Sequence, residues 1–297
     1  MERGNMHGLE ARATPTTSAW QLRPLAGGLG AEVLGLQVAA IDDAAFPAVH
    51  AAFLAHQLLL FRGQDLPPGA QVAFARRFGE VQVHVMNQYH ADVHPELYTL
   101  SNLDADGKPS GQHPDRGTMA WHTDGSWQRV TGQATMLFAE RIPATGGGTG
   151  FADMYSAYDA LDPAEQRRLA GLRAIHNLDF SRNRRHGEAP MTEAQRNAVP
   201  PVDHPVVRTH PETGRKCIFL GDHAETIQGM AYQAGRALIE DLNARAVAAA
   251  RTYTHRWRPG DFMVWDNRCL LHKAESYDTA HEARVIRRCT VLGDVPR

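Results

Sequence analysis

The chain has 297 residues, 43% of them hydrophobic and 22% charged, and a net charge of -2 at pH 7. That is the composition of a globular protein long enough to bury a core without disulfides. The near-neutral charge offers nothing to a polyanion and no apolar run approaches the about 18 residues of a membrane span, so neither nucleic acid nor a membrane is expected as a partner.

In chain order, residues 1–19 lack an apolar secretory core and read as a flexible leader before a single domain over 20–297. Residues 31–38 alternate and predict a strand; 42–57 predict a helix interrupted by Pro47; 58–63 predict a short buried strand. "LPPGAQVAFARRFG" predicts a helix entered through Pro67 and Pro68 and closed by Gly79. An irregular stretch rich in His, Asp, Gly and Pro covers 81–118. After "MAWHTDGSW" come "ATMLFAERI", a turn at "TGGGTG", "FADMYSAYDAL" and a helix opened by Pro163. Residues 177–203 are polar, arginine-rich and broken by proline, the length and character of a lid or linker. "PVVRTHPETGRKCIFLG" predicts two strands around a turn at 212–214, and "AYQAGRALIEDLNARAVAA" the clearest helix. "FMVWDNRCLLH" and "RVIRRCTVLG" end the chain. Many short strands with helices early and late predict an α+β fold, a mixed or antiparallel β core with helices outside. Cys217, Cys269 and Cys289 are odd in number and lie in apolar runs, as reduced core thiols of a cytoplasmic protein would.

Chemistry enters with His122 and Asp124. His-x-Asp or His-x-Glu occurs at seven places among the 16 histidines, so the spacing alone selects nothing. His90/Asp92 and His113/Asp115 fall in the Gly/Pro-rich stretch, where solvated side chains are the default. His122 and Asp124 are framed by Met119, Ala120, Trp121 and Trp127, which predicts a fixed, extended backbone with both side chains on one face. A buried carboxylate needs a partner, either a cation or the imidazole itself, and the pair leaves both open.

The C-terminus weighs toward the cation. It carries His272, Arg284 and Arg288, and Arg284, Ile286, Arg288 and Thr290 share one face of the strand pattern while Arg287 takes the other. Two guanidiniums on such a face either meet anions or sit on an exposed edge. Two histidines and one carboxylate form the facial triad of non-haem iron(II) oxygenases, leaving positions for a 2-oxo acid and dioxygen. A zinc hydrolase needs one open position and leaves the arginines without a role.

The chain resembles the taurine / 2,4-dichlorophenoxyacetate dioxygenase family of Fe(II)- and 2-oxoglutarate-dependent enzymes, closer to the phenoxyacetate branch. The likeness runs through "LLLFRGQ", "QVAFARRFGE", "WHTDGSW", "GGGTGFADM", "EAQRNAVPPV", "HPVVRTHPETGRK", "HRWRPGDFMVWDNRCLLH" and "RRCTVLGD". It implies a double-stranded β-helix (jelly roll) with flanking helices, using Fe(2+), 2-oxoglutarate and O2. It implies that His122, Asp124 and His272 bind the iron, and that Arg284 and Thr149 bind the distal carboxylate of 2-oxoglutarate. Arg288 would meet the acidic group of the primary substrate, and His84 would stand on the substrate side. Thr118 stands where many members have an asparagine facing the cosubstrate. The implied reaction hydroxylates a C–H bond of a small anionic substrate (an aryloxyalkanoate, alkyl sulfate or sulfonate, or N-substituted amino acid) and releases succinate and CO2. Trp127, Met86 and Phe180 are candidates for an apolar wall. Relatives commonly associate, so a homo-oligomer is an open expectation. The alternatives are a non-catalytic jelly-roll binder of organic acids and a zinc-dependent hydrolase.

Overall fold

In the computed structural model residues 20–84 and 93–297 are described, so the expected leader, His90/Asp92 and Met86 lie outside the described residues. The chain begins with β1 (Gln21–Pro24), β2 (Ala31–Leu34), α1 (Phe46–His56), β3 (Leu58–Phe61) and α2 (Pro68–Arg76). Next come β4 (Tyr98–Ser101), β5 (Gly132–Arg141), β6 (Thr149–Asp153), α3 (Met154–Asp159), α4 (Pro163–Leu169) and β7 (Arg173–His176). Region 177–203 contributes α5 (Glu193–Ala198), followed by β8 (Val202–Pro205), β9 (Val207–Thr209), β10 (Lys216–Ile218) and β11 (Ala224–Ile227). Then α6 (Tyr232–Ala249) leads to β12 (Thr252–His255), β13 (Phe262–Asp266), β14 (Leu270–Ala274) and β15 (Val285–Leu292).

Period-two patterning explains how these strands stack. Leu58 and Leu60 of β3 point into a core shared with Phe151, Ala152 and Leu271, whereas Leu59 and Phe61 point out toward Val49 and Phe53 of α1 and Val72 and Phe74 of α2. β13 repeats the scheme, with Met263 and Trp265 inward and Phe262 and Val264 outward. A strand buried on both faces reads as an unbroken apolar run, which is why "LLLF" and "FMVW" carry so little polarity. Burying each such side chain stabilises the fold by about 1.5–3 kcal/mol. The large sheet runs β1-β2-β3-β13-β5-β15-β4, antiparallel except for β2 with β3. The sheet β12-β6-β14 packs on its inner face, and together they make the jelly roll the sequence resemblance implies.

Several expectations change. Pro47 lies in the first turn of α1 and opens the helix instead of interrupting it, because its missing N–H is one of the donors that a first turn leaves unpaired anyway. The strand predicted over 31–38 stops at Leu34, where Gly35 turns the chain with φ +80°. The irregular stretch 81–118 contains β4, which pairs with β15. β15 is therefore an interior strand between β5 and β4, and its arginines are not edge charges. Region 177–203 is no linker: it holds a π-helical turn, Phe180–Arg185, and α5 with a full capping box from Thr192 and Gln195. The three cysteines are buried and unpaired, and burial pushes the thiols of Cys217 and Cys289 up to about 12, so they are inert core groups. Among the described residues no helix is long and apolar enough to cross a membrane.

Candidate metal centre and its chamber

His122 and Asp124 do not sit on the strand that the sequence predicts. His122 makes a two-residue antiparallel bridge with His272 of β14, the backbone bonds measuring 3.0 and 2.8 Å, and the chain then turns through Asp124 and Gly125. The convergence survives because the turn is pinned. Gly125 adopts φ +72°, and a Cβ there would meet the Gly132 nitrogen at 2.7 Å; a Cβ on Gly132 would meet the Asp124 carbonyl at 2.6 Å. Only glycine at both positions lets this turn lie against the start of β5.

The three side chains come together. One ligand atom from each of His122, Asp124 and His272 lies within 4.8 Å of the others, and all three residues are buried. His122 Nε2 stands 3.7 Å from Asp124 Oδ1, and His272 Nε2 stands 3.6 Å from Asp124 Oδ2. His122 Nδ1 donates to the Ala120 carbonyl at 2.8 Å, which fixes the tautomer and leaves the Nε2 lone pair facing Asp124. Burial, then the neighbouring His122, hold the His272 imidazole well below its ordinary pKa. Burial pushes Asp124 up, but Arg288 first, then the two imidazoles and the Thr135 hydroxyl, outweigh it and hold the carboxyl well down. A neutral His272 and an ionised Asp124 are the forms a divalent cation requires, so the donor set fits iron(II).

Two positioning residues escaped the sequence reading. Thr135 on β5 donates to Asp124 Oδ2 at 2.6 Å, and Asn267 donates to Thr135 Oγ1 at 2.9 Å. The Asn267 side-chain oxygen receives Trp265 Nε1 at 2.9 Å and the Asp124 amide at 3.3 Å. Thr123 turns away from the triad and donates to the Asn267 carbonyl at 2.6 Å. No sequence spacing links 124, 135 and 267; only the β5–β13 register does, with Thr135 opposite Trp265.

The triad stands where two lobes of one chamber meet. One lobe, about 420 Å3, is lined by His113, Thr149, Trp265 and Arg284; the other, about 520 Å3, by His84, Tyr98, Trp127, Leu178 and Arg182. Thr118, His122, Asp124 and Arg288 belong to both. Arg284 is 3% exposed; its Nε donates to the Gly147 carbonyl at 3.1 Å, and among the described residues it makes no ion pair. Burial pushes its guanidinium down to about 10, so an acidic ligand in this lobe would relieve a desolvated charge. Thr149 opens β6 beside it, its hydroxyl held by Trp257 Nε1 at 2.9 Å. Arg288 pairs with Asp124 Oδ1 at 2.9 Å. Arg287 points to the other face, over the Phe138 ring, as the alternation requires. Thr118 Oγ1 donates to the Asp115 carbonyl at 2.7 Å, so toward the chamber it offers an acceptor and not a donor.

The second lobe corrects other expectations. His84 packs edge-on between the Tyr98 and Trp127 rings, and burial, then Arg288, push it down to about 3. Trp127 is part of the wall; Phe180 instead packs under the Arg236 guanidinium at 5.4 Å, and Leu178 takes the lining place. His113 and Asp115 are not solvated. His113 borders the Arg284 lobe, and the Asp115 carboxylate accepts from Gly117 N at 2.9 Å and hydrogen-bonds Glu188 of region 177–203.

A jelly roll with a buried two-histidine, one-carboxylate centre and an unanswered guanidinium beside it defines a non-haem iron(II) oxygenase. The chain belongs to the family described as "Taurine catabolism dioxygenase TauD, TfdA family", whose model matches residues 21–290. It is 38% identical over 272 residues to the (S)-phenoxypropionate/alpha-ketoglutarate-dioxygenase of Delftia acidovorans, covering 87% of this chain and 90% of that one. It is 41% identical over 247 residues to the alpha-ketoglutarate-dependent 2,4-dichlorophenoxyacetate dioxygenase of Cupriavidus pinatubonensis, covering 80% and 85%. The crystal structure of AAD-2 in complex with Mn(II) and N-oxalylglycine superposes with a TM-score of 0.79 at 31% identity, covering 94% of this chain and 99% of that one. The protein is thus a 2-oxoglutarate-dependent dioxygenase using Fe(II) and O2, and neither the non-catalytic binder nor the zinc hydrolase finds support.

Two predictions follow from this geometry. Thr135→Ala removes the hydroxyl that orients Asp124 and is expected to weaken Fe(II) binding about 10- to 100-fold; an unchanged dissociation constant by anaerobic titration would show that Asp124 is held by other means. The second concerns acid. In the unfolded chain His84 and His223 bind protons near pH 6.5, but burial pushes them down to about 3 and about 4 in the fold. Between those limits the unfolded state holds more protons, so the metal-free protein loses stability as pH falls, on the order of 2 kcal/mol for each histidine by pH 5. Urea midpoints that stay level from pH 7.5 to 5 would contradict buried neutral imidazoles.

Proposed function

We propose that the protein hydroxylates a C–H bond of a small organic acid, with 2-oxoglutarate converted to succinate and CO2. The acid is of the aryloxyalkanoate, alkyl sulfate or sulfonate, or N-substituted amino acid type. The observation that carries this is the chamber's division: two lobes meet at one triad, with Arg284 in the first and Arg288 at the junction with the second. The first lobe suits the diacid cosubstrate and the second the primary substrate. The similarity to phenoxypropionate and dichlorophenoxyacetate dioxygenases supports an aryloxyalkanoate in particular.

In this reading His122, Asp124 and His272 hold the iron, which when bound supplies the dioxygen activation that couples decarboxylation to C–H oxidation. Arg284 and Thr149 receive the distal carboxylate of 2-oxoglutarate and set its angle. Thr118 accepts at the boundary between the lobes. Arg288 orients the acidic group of the substrate while screening Asp124, so the carbon adjoining that group lies next to the metal. His84, neutral and wedged between aromatic rings, shapes the apolar side. Residues 20–297 act as one catalytic domain with 177–203 as its lid. The unpaired cysteines support a cytoplasmic setting.

Oxygen-dependent succinate release over a panel of organic acids tests the proposal. His272→Ala is expected to abolish it. Arg288→Ala is expected to raise the acid's KM about 10- to 100-fold while leaving 2-oxoglutarate affinity within a few-fold. Equal loss of both affinities would contradict the division of the arginines.

A further inference from the structure

The lid brings a second guanidinium to the substrate lobe. Arg182 lies on the π-helical turn Phe180–Arg185, a wide turn of a kind that recurs at functional positions. Its side chain is nine-tenths buried. It lines the inner lobe and also an outer cavity of about 720 Å3, bounded by Gln112, Pro114, Arg116 and Ala189. Arg182 therefore stands between the mouth and the chamber.

Its charge is only partly answered. One terminal nitrogen meets Glu188 at 2.9 Å, but the buried Nε has no hydrogen-bond partner among the described residues. Glu188 is itself divided: it accepts from the Gly117 amide at 3.0 Å and its carboxyl hydrogen-bonds Asp115. Burial, then the Asp115 charge, push Glu188 up, so its negative charge is the one in this cluster most readily given away. A buried charged donor without an acceptor is costly, and the cost vanishes when an anion arrives. Arg288 approaches the same volume from β15. Both guanidiniums act on the His84 ring, which lies in this lobe.

We propose that Arg182 is a second residue recognising the substrate's acidic group, an oxyanion being held between Arg182 on the lid and Arg288 on β15. This rests on the reading of the second lobe as the substrate side. The oxyanion is a carboxylate, sulfonate or sulfate, accepting from the Arg182 Nε–H while Glu188 remains with Gly117 and Asp115. Binding the acid and fastening the lid then become one event. A neutral isostere would leave the buried Arg182 Nε–H without an acceptor and give Arg288 nothing beyond its pair with Asp124, so rejection of uncharged analogues is built into the lid as well as the barrel.

The test is steady-state succinate release with phenoxyacetate, hexyl sulfate and the neutral phenoxyacetamide, together with 2-oxoglutarate affinity measured by anaerobic titration. Arg182→Gln is expected to raise KM for the acids about 10- to 100-fold, with the amide and 2-oxoglutarate changed less than threefold. Arg182→Lys should recover part of the loss, and Glu188→Gln should leave the acid KM level or lower. Equal effects of Arg182→Gln on acid and amide, or none on either, would overturn the proposal. If Arg182→Gln does not fold, Glu188→Gln decides: a KM for acids raised tenfold would mean that the ion pair only holds the lid together. A wild-type enzyme that accepts none of the acids sinks the substrate reading itself, whereas acid turnover indifferent to Arg182 sinks only this inference.

Discussion

The antiparallel bridge between His122 and His272 is the constraint on which the rest depends. Two backbone hydrogen bonds fasten a loop to the inner sheet, and each contributes only about 1 kcal/mol net. Their value is geometric. They place two imidazoles from distant parts of the chain with ring centroids 4.2 Å apart, and the following turn through Gly125 swings Asp124 onto the same point. The neighbouring layer then removes residual freedom. Thr135 and Asn267 hold the carboxylate, the Ala120 carbonyl holds one imidazole, and the Trp265 ring packs against the other. Such preorganisation lets a protein present three donors without ordering them at the moment of binding.

Charge balance accounts for the arginines. A carboxylate buried among imidazoles and aromatic rings is tolerable because Arg288 answers it. β15 then puts Arg288 toward the chamber and Arg287 toward Phe138, and Arg284, just ahead of its first residue, lines the other lobe, so one segment serves both. Because β4 covers its far side, β15 lies inside the sheet, where guanidiniums are expensive unless anions meet them. The chamber thus carries positive charge at two separate places, which suits a reaction between two acids at one metal.

Much of this was legible in the residues. The strands of unbroken apolar character, the helices opened by Pro68 and Pro163, and the long helix over Tyr232–Ala249 follow from patterns with local causes. The triad and Arg284 came from motif and resemblance together, and the geometry brings them to one chamber. What failed were readings that depended on tertiary context. The extended backbone expected at 122–124 is a bridge and a turn, because pairing with His272 can be met by a single residue. β4 hid in an irregular stretch interspersed with His, Asp, Gly and Pro, since it is only four residues long. Asp115 and His113 seemed solvated because nothing local shows that Glu188 and its neighbours pack over them. Thr135 and Asn267 were invisible for the same reason: register across a sheet, not spacing along a chain, makes them neighbours.

The most direct measurement is anaerobic addition of Fe(II) and then 2-oxoglutarate to the wild-type protein and to His272→Ala and Arg284→Ala, followed by visible absorption. The account predicts a metal-to-ligand charge-transfer band in the wild type, none in His272→Ala, and in Arg284→Ala a band reached only at much higher 2-oxoglutarate concentration. A full-strength band in His272→Ala, or the same 2-oxoglutarate dependence in Arg284→Ala as in the wild type, would contradict it.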